Sequence, residues 1–419
     1  MTDTPTTPGE SVGAVPVDPK AEFGKQRLRS LDAYRGLIMI MLAFIGFGLG
    51  GMASQQLEVH PESAVWSGIK YQFGHVEWIG CALWDMIQPS FMFMVGVAMA
   101  FSYAKRKRLG HSYVRMLGHA MWRSVVLVLL GVFLSSNWSP STNWSLANVL
   151  SQIGLGYTFV FLLWGRGIPT QAIMGVVVLV GTWALFVWYP ESGIDIEKGA
   201  TEVGVESEWA QEHLEGVSPA WHKNANVGHV VDVWLLNLLP REEPFEYQRG
   251  GYNTTNFIPS IATMLFGLMC GELLRSNRSA KRKLITLVVA GIAGLVVGQI
   301  LNLTGVCPIV KRMWTPSWAL FSTGWCCLIL AALYDVIDVL GYRRWAFPLV
   351  VVGMNSIAMY FMFQLLRPWA SRTLKIHLGQ DLFLKCGEVY EPMLQHTLTG
   401  LFLWLICLWM YRQKIFIRI

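Results

Sequence analysis

Arg27-Leu-Arg-Ser-Leu-Asp-Ala-Tyr-Arg-Gly36 runs directly into Leu37-Ile-Met-Ile-Met-Leu-Ala-Phe44, a polar, arginine-rich mouth followed by an uninterrupted apolar stretch. An apolar run with charge only at its start has no polar face for water, so it reads as a helix surrounded by lipid or by other helices. The same texture recurs along the 419 residues, of which 53% are hydrophobic and only 14% charged, a balance that a water-soluble domain does not sustain. About ten stretches are long enough to cross roughly 30 Å of hydrocarbon as helix, at residues 34–54, 79–103, 117–136, 147–165, 169–189, 254–274, 284–303, 314–338, 346–366 and 396–412. The expected fold is therefore all-α, a polytopic integral membrane protein. Polar residues in the last three stretches mark one of them as a candidate broken or re-entrant segment.

Residues 1–26, rich in Thr, Pro, Gly and Val without an apolar core, read as a disordered cytoplasmic tail, leaving 27–419 as one transmembrane domain. Lys and Arg collect at 105–108, 281–283, 343–344 and 412–418, so the positive-inside rule places both termini in the cytoplasm. The connection at 190–250 is then a long extracytoplasmic loop. Its first half carries eight acidic residues between Glu191 and Glu215 against Lys198 alone and reads as solvated. Its second half, from Trp221 to about Leu236, is aromatic and amphipathic, as a segment lying on the helix bundle would be. The net charge of +6 is a topology and membrane-surface signal and gives no reason to invoke nucleic acid.

Cysteine spacing yields neither a CxxC nor a metal motif, and no metal is expected. Cys81, Cys270, Cys326, Cys327 and Cys407 are expected in helices as small buried apolar residues, while Cys307 and Cys386 map to outer loops and form a candidate disulfide. No Gly-rich phosphate loop opens a helix after a strand, and no internal repeat is visible, which counts against nucleotide-driven chemistry and inverted-repeat transport.

Two polar constellations remain. At the first helix mouth, Ser30 is placed as an N-cap and Asp32 in the first turn, and Arg27, Arg29 and Arg35 supply fixed guanidinium donors suited to an anion arriving from the cytoplasm. Further on, His75-Val-Glu-Trp78-Ile-Gly-Cys-Ala-Leu-Trp-Asp85 sets an imidazole at a helix mouth. Asp85, seven residues beyond Trp78, is expected on nearly the same helical face and within the hydrocarbon. A carboxylate at that depth is costly unless it is paired or faces a wet cavity, and imidazole titrates near neutrality and serves as base or acyl acceptor.

On these residues the chain resembles the heparan-alpha-glucosaminide N-acetyltransferases and their bacterial relatives, from Arg27 to Ile419. The opening segment is similar to Arg27-Leu-Arg-Ser-Leu-Asp32 with Arg35-Gly36. The histidine segment matches His75, Trp78, Gly80, Asp85 and Pro89. Pro308, Lys311, Trp314 and Ser317 resemble the approach to a later helix, Gly353-Met-Asn355-Ser-Ile a further motif, and Tyr411 onward the C-terminal end. The resemblance implies transfer of acetyl from cytoplasmic acetyl-CoA, a co-substrate, to an amino sugar or cell-envelope glycan on the far side of a bacterial inner membrane. It implies His75 as the catalytic group, with Asp85 orienting it. Arg27, Arg29, Asp32 and Arg35 become candidates for CoA, and Glu77, Trp78, Lys311, Trp314 and Asn355 for the substrate. The bilayer, and in addition a second copy of the chain as homodimer, are the other expected partners. Where the family has an asparagine ten residues beyond Arg35-Gly36, this chain has Gly46. Leu150-Ser-Gln152-Ile-Gly154 and Gly250-Gly-Tyr-Asn-Thr-Thr-Asn256 depart in the same way, so a different acceptor is expected. A sugar permease and a glycan O-acyltransferase are the alternative functions.

Overall fold

The computed structural model describes residues 28–189 and 193–417; the N-terminal tail and Arg27 lie outside these residues. Fifteen helices follow one another, with no β-strand among the described residues. The first apolar stretch forms α1 (Arg29–Ala43) and α2 (Leu49–Val59), bent by 46°. Between them Ile45, Gly46, Phe47 and Gly48 take φ of 47°, 55°, 59° and 70°, a run in the left-handed region that ends one helix and redirects the next. Next come α3 (Ala64–Gln72), α4 (Ile87–Arg108), α5 (Tyr113–Ser136), α6 (Val149–Leu163) and α7 (Ile168–Trp188). In the long connection lie α8 (Ser207–Leu214) and α9 (Val227–Asn237). The second half holds α10 (Phe257–Arg275), α11 (Ala280–Leu303), α12 (Pro316–Leu333), α13 (Phe347–Gly353), α14 (Ser356–Leu378) and α15 (Glu391–Arg412). Ser63, Ser112, Asn148, Asn226, Ser279 and Thr315 begin their helices by accepting a backbone N–H, each satisfying a donor that the helix cannot.

Among the described residues seven helices are long and apolar enough to cross a membrane, or nine if each bent pair is one crossing. The second bent pair, α13 and α14, turns by 80° at Met354-Asn355, within one of the three stretches where polar residues suggested a break. The remaining stretch, 147–165, forms α6, which has 15 residues and spans about 22 Å at 1.5 Å per residue. α4, α10 and α12 are mostly enclosed, whereas α5, α7 and α11 present apolar side chains such as Leu129, Phe133, Val176, Val180, Val289 and Ile292 outward. An outward apolar belt of this extent suits lipid and not water.

The core helices meet at glycines. A Cβ on Gly96 would overlap the Met264 carbonyl, and one on Gly267 the Phe93 carbonyl, so α4 and α10 cross backbone to backbone. Gly36 stands in the same way against Leu349, and Gly353 against the Asp32 carbonyl. Two segments more than three hundred residues apart in sequence are thereby a single packing contact between α1 and α13.

The long connection is not a free loop. Ile194, Val205, Ala210, Leu214, Trp221 and Val227 form a second core with Trp78, Phe186, Cys307, Val310 and Met313, so it packs down over the bundle end at residues 74–82 and 306–314.

Three expectations are corrected here. Ser30 is buried inside α1 and does not cap it: Leu28 occupies the cap position, and Asp338, from a π-helical turn after α12, accepts the backbone N–H of Arg29 at 3.2 Å and of Ser30 at 3.1 Å. Cys81 lies in the extended segment ahead of α4, outside any helix. Cys307 and Cys386 are not bonded: Cys307 is buried and accepts the Ser317 hydroxyl at 3.5 Å, while Cys386 is exposed.

Candidate functional site

Helical structure does not begin at residue 79. Residues 74–82 run as an irregular strap, and a 3₁₀ turn, Leu83–Met86, leads into α4. Asp85 therefore does not share a helical face with Trp78; the strap folds back so that both ends of the motif reach one carboxylate. His75 Nδ1 lies 2.7 Å from Asp85 Oδ1, and Oδ2 accepts the backbone N–H groups of Val76 and Ala82, each at 3.2 Å. Lys311 Nζ donates to Oδ1 from 3.1 Å. With four donors around a side chain only 2% exposed, a carboxylate at the start of a membrane helix is compensated in the way burial demands.

These contacts assign the imidazole tautomer. A bare Nδ1 lone pair facing a carboxylate at 2.7 Å would be repelled, so Nδ1 carries the proton and donates it to Asp85. Lys311 Nζ, 3.1 Å from Nδ1, then does not donate to the ring; both nitrogens converge on the same oxygen. No described residue hydrogen-bonds to Nε2, and the side chain is 45% exposed. The charges of Lys311 and Asp85 oppose one another, and the contact at Nδ1 orients the imidazole at an open surface, an arrangement suited to base or nucleophile chemistry.

A second strap, residues 304–315, delivers Lys311. Thr315 and Ser317 both donate their hydroxyls to the Pro308 carbonyl, at 2.7 and 2.6 Å, and Thr315 Oγ1 accepts the Val310 N–H at 3.0 Å. Trp314 holds φ of 51°, rare for a bulky residue, and donates Nε1 to Thr263 at 3.2 Å. The straps are joined where the Gly80 N–H donates to the Ile309 carbonyl at 2.9 Å, with Gly80 at φ 135°. The spaced Pro, Lys, Trp and Ser of the later motif are thus the staples that aim Lys311 at Asp85.

The remaining expected residues divide by position. Glu77 is largely exposed, 3.7 Å from Arg312, at the rim beside His75. Trp78 is buried, donates to the Trp221 carbonyl at 3.0 Å and meets the edge of Trp209, so it anchors the long connection to the strap. Trp314 is wholly enclosed and shapes the strap from behind. Arg29, Asp32, Arg35 and Asn355 gather at the other end of α1, about 20 Å away along its axis. There Asp32 and Arg35 approach to 3.9 Å. Asn355 sits at the α13–α14 break, donating to the Ile415 carbonyl at 2.9 Å and accepting the Ile417 N–H at 3.1 Å.

Arg312 escaped the sequence reading. It donates to the carbonyls of Gly250 at 2.8 Å and Val76 at 3.4 Å, tying the end of the long connection to the strap beside His75. Its position next to Lys311 was the available signal. Trp84, 6.4 Å from the His75 ring, and Phe73 complete the surround, and the Phe73 ring fills the space a side chain on Gly46 would need. A cleft of about 790 Å³ opens alongside, lined by α3, Phe73 and Leu83. Among the described residues no group of three or more His, Cys, Asp or Glu is placed to hold a metal.

No family model matches the chain. It is 23% identical over 429 residues to heparan-alpha-glucosaminide N-acetyltransferase of Homo sapiens, and 23% over 430 residues to the protein of the same name of Mus musculus. Each alignment covers 94% of this chain and 60% of the relative, so the chain spans about 60% of the length of the curated relatives it matches. The resemblance drawn from five short motifs therefore extends along nearly the whole sequence.

Proposed function

We propose that this chain is a transmembrane acetyltransferase that moves acetyl from cytoplasmic acetyl-CoA to the amine of a sugar, or of a cell-envelope glycan, on the extracytoplasmic side, with His75 as the reacting group. The observation that carries the reading is a half-exposed imidazole whose Nδ1 is held by a buried, lysine-compensated aspartate, with no described residue bonded to Nε2. The similarity to two N-acetyltransferases over 94% of the chain supports it.

Two routes use the same atom. In one, Nε2 attacks the thioester carbonyl, the C–S bond breaks and CoA leaves as thiolate; the sugar amine then takes the acetyl group, the N–C bond to the ring breaks, and the amine proton passes to the thiolate or solvent. In the other, Nε2 accepts the amine proton while nitrogen attacks the thioester directly, and returns that proton to the departing thiolate. In both, Asp85 stabilises the imidazolium and fixes the ring, and Lys311 keeps Asp85 ionised.

The accompanying topology has ten crossings, both termini in the cytoplasm and the 190–250 connection outside, in an inner membrane. In it α6 is a short fourth crossing between α5 and α7, and the arginine mouth of α1 faces the donor while His75 faces the acceptor. The test is sided: proteoliposomes loaded with glucosamine and given radiolabelled acetyl-CoA outside, with protein orientation determined by protease. Label accumulating inside in proportion to the fraction with cytoplasmic face outward supports the proposal, while label only on glucosamine added to the acetyl-CoA side overturns its transmembrane part.

A further inference from the structure

At the same end of the bundle as His75, but behind the break of the first helix, a groove of about 700 Å³ separates α14 from α15. On α14, Arg367, Ser371 and Lys375 recur every four residues and so share one face, with Arg372 beside them. Across the groove stand His396 and Thr399 of α15, and Gln395 closes one side by donating to the Ser371 hydroxyl at 3.2 Å.

The charges do not balance. Lys375 has Glu391 at 4.0 Å, but among the described residues no carboxylate comes within ion-pair reach of Arg367 or Arg372, leaving three cations against one anion. Arg367 stands eleven residues into α14, about 17 Å along a helix that forms part of an apolar crossing. A guanidinium at such depth is costly unless water or an anion meets it. A second observation points the same way: Thr399, 2% exposed, has a buried hydroxyl without any partner, on the groove wall. A donor enclosed and unmatched beside two guanidinium groups that no described carboxylate pairs, Arg367 having only the Phe363 ring at 5.8 Å, describes a receptor for oxygen acceptors.

We propose that this groove binds a phosphate or sulfate ester group, gripped by the planar donors of Arg367 and Arg372, neutralised further by Lys375 and completed by the Thr399 hydroxyl. Arginine favours such tetrahedral oxyanions because its donors match two oxygens at once. The groove backs onto the helix break: Pro392 of α15 lies against Gly48 and Gly51, and Gly400 against Phe44. Gly46 in that break abuts Phe73 and Trp84. The ester group belongs either to a soluble ligand or to a lipid headgroup.

The experiment uses the full chain carrying His75→Ala, so that binding is read without turnover and stands apart from the acetyl-transfer proposal. In nanodiscs of neutral phosphatidylcholine, inorganic pyrophosphate is titrated while thermal unfolding is followed. A saturable rise in Tm, whose midpoint moves at least tenfold higher with Arg367→Gln or Arg372→Gln and less with the lysine variants, supports a soluble ligand. A higher Tm in phosphatidylglycerol nanodiscs than in neutral ones, abolished by the same glutamine variants, supports a lipid headgroup. Arg372 is exposed, so its variant keeps the test open if Arg367→Gln fails to fold. Equal responses of parent and Arg372→Gln in both arms overturn the proposal.

Discussion

At the scale of single residues, the proposed function rests on one carboxylate shared by four donors. Asp85→Asn keeps the shape but loses the charge that pins Nδ1–H and pairs Lys311. The account expects acetyl transfer to fall by about 100-fold or more with little loss of fold, by analogy with other oriented imidazoles. Lys311→Ala exposes the same carboxylate to an uncompensated burial and is expected to cost both rate and about 3 kcal/mol of stability, since breaking a buried pair strands its partner. Turnover and thermal unfolding of the two variants side by side check this, and a fully active Asp85→Asn enzyme would remove Asp85 from the mechanism. Gly46 makes a separate point. The resemblance to the acetyltransferases would put an asparagine at this position, yet here a side chain at 46 meets the Phe73 ring. Gly46→Asn is therefore expected to destabilise by about 1–3 kcal/mol, and Phe73→Ala to recover part of the loss when the two are combined. Equal destabilisation in both backgrounds would count against the contact.

Among elements, helices were legible and the segments that carry chemistry were less so. Apolar length marks α4, α5, α7, α10, α11 and α12 in the sequence, because a membrane helix must satisfy its own backbone and be apolar over its full length. The straps at 74–82 and 304–315 were not visible as straps. Their order comes from long-range bonds, such as Gly80 N–H to Ile309 and Thr315 to Pro308, which no local periodicity records. Hence His75 and Asp85 were found as residues, while their joining through a fold-back and the part of Arg312 were not. Likewise Ser30 looked like a cap from its neighbours, and the cap came from Asp338, 308 residues away. The long connection gives a pH prediction. In α9, burial pushes the Asp232 carboxyl up to about 6, although the Thr254 N–H donates to it at 3.0 and 3.1 Å. A carboxyl raised on folding binds its proton more tightly in the folded chain, so docking weakens as pH climbs from the ordinary aspartate value near 4 to about 6 and is level above that. Hydrogen exchange at residues 227–256 should quicken across that window, and Asp232→Asn should flatten the profile; an unchanged slope in the variant would assign it to another group.

Over the whole molecule, the ends of α1 separate two polar regions: an arginine-bearing mouth with Arg29, Asp32, Arg35 and Asp338, and the His75 centre beneath the long connection. The Gly36 and Gly353 contacts hold α1 and α13 together at the first, and the α1–α2 bend carries the chain to the second. Sidedness follows as a prediction. In a Cys386→Ser background, which removes the exposed native thiol, Glu212→Cys in α8 of the connection should react with a membrane-impermeant maleimide in intact cells, while Lys107→Cys should react only after permeabilisation; the reverse pattern would invert the topology. Transfer itself is the most direct test of the central claim. Purified protein in nanodiscs is given radiolabelled acetyl-CoA and glucosamine, alongside His75→Ala of equal thermal stability. Release of CoA with label on the glucosamine amine is expected for the parent, and loss of both for the variant. Equal transfer by the two proteins, or acetyl-CoA left intact by the parent across amino sugars, would contradict it.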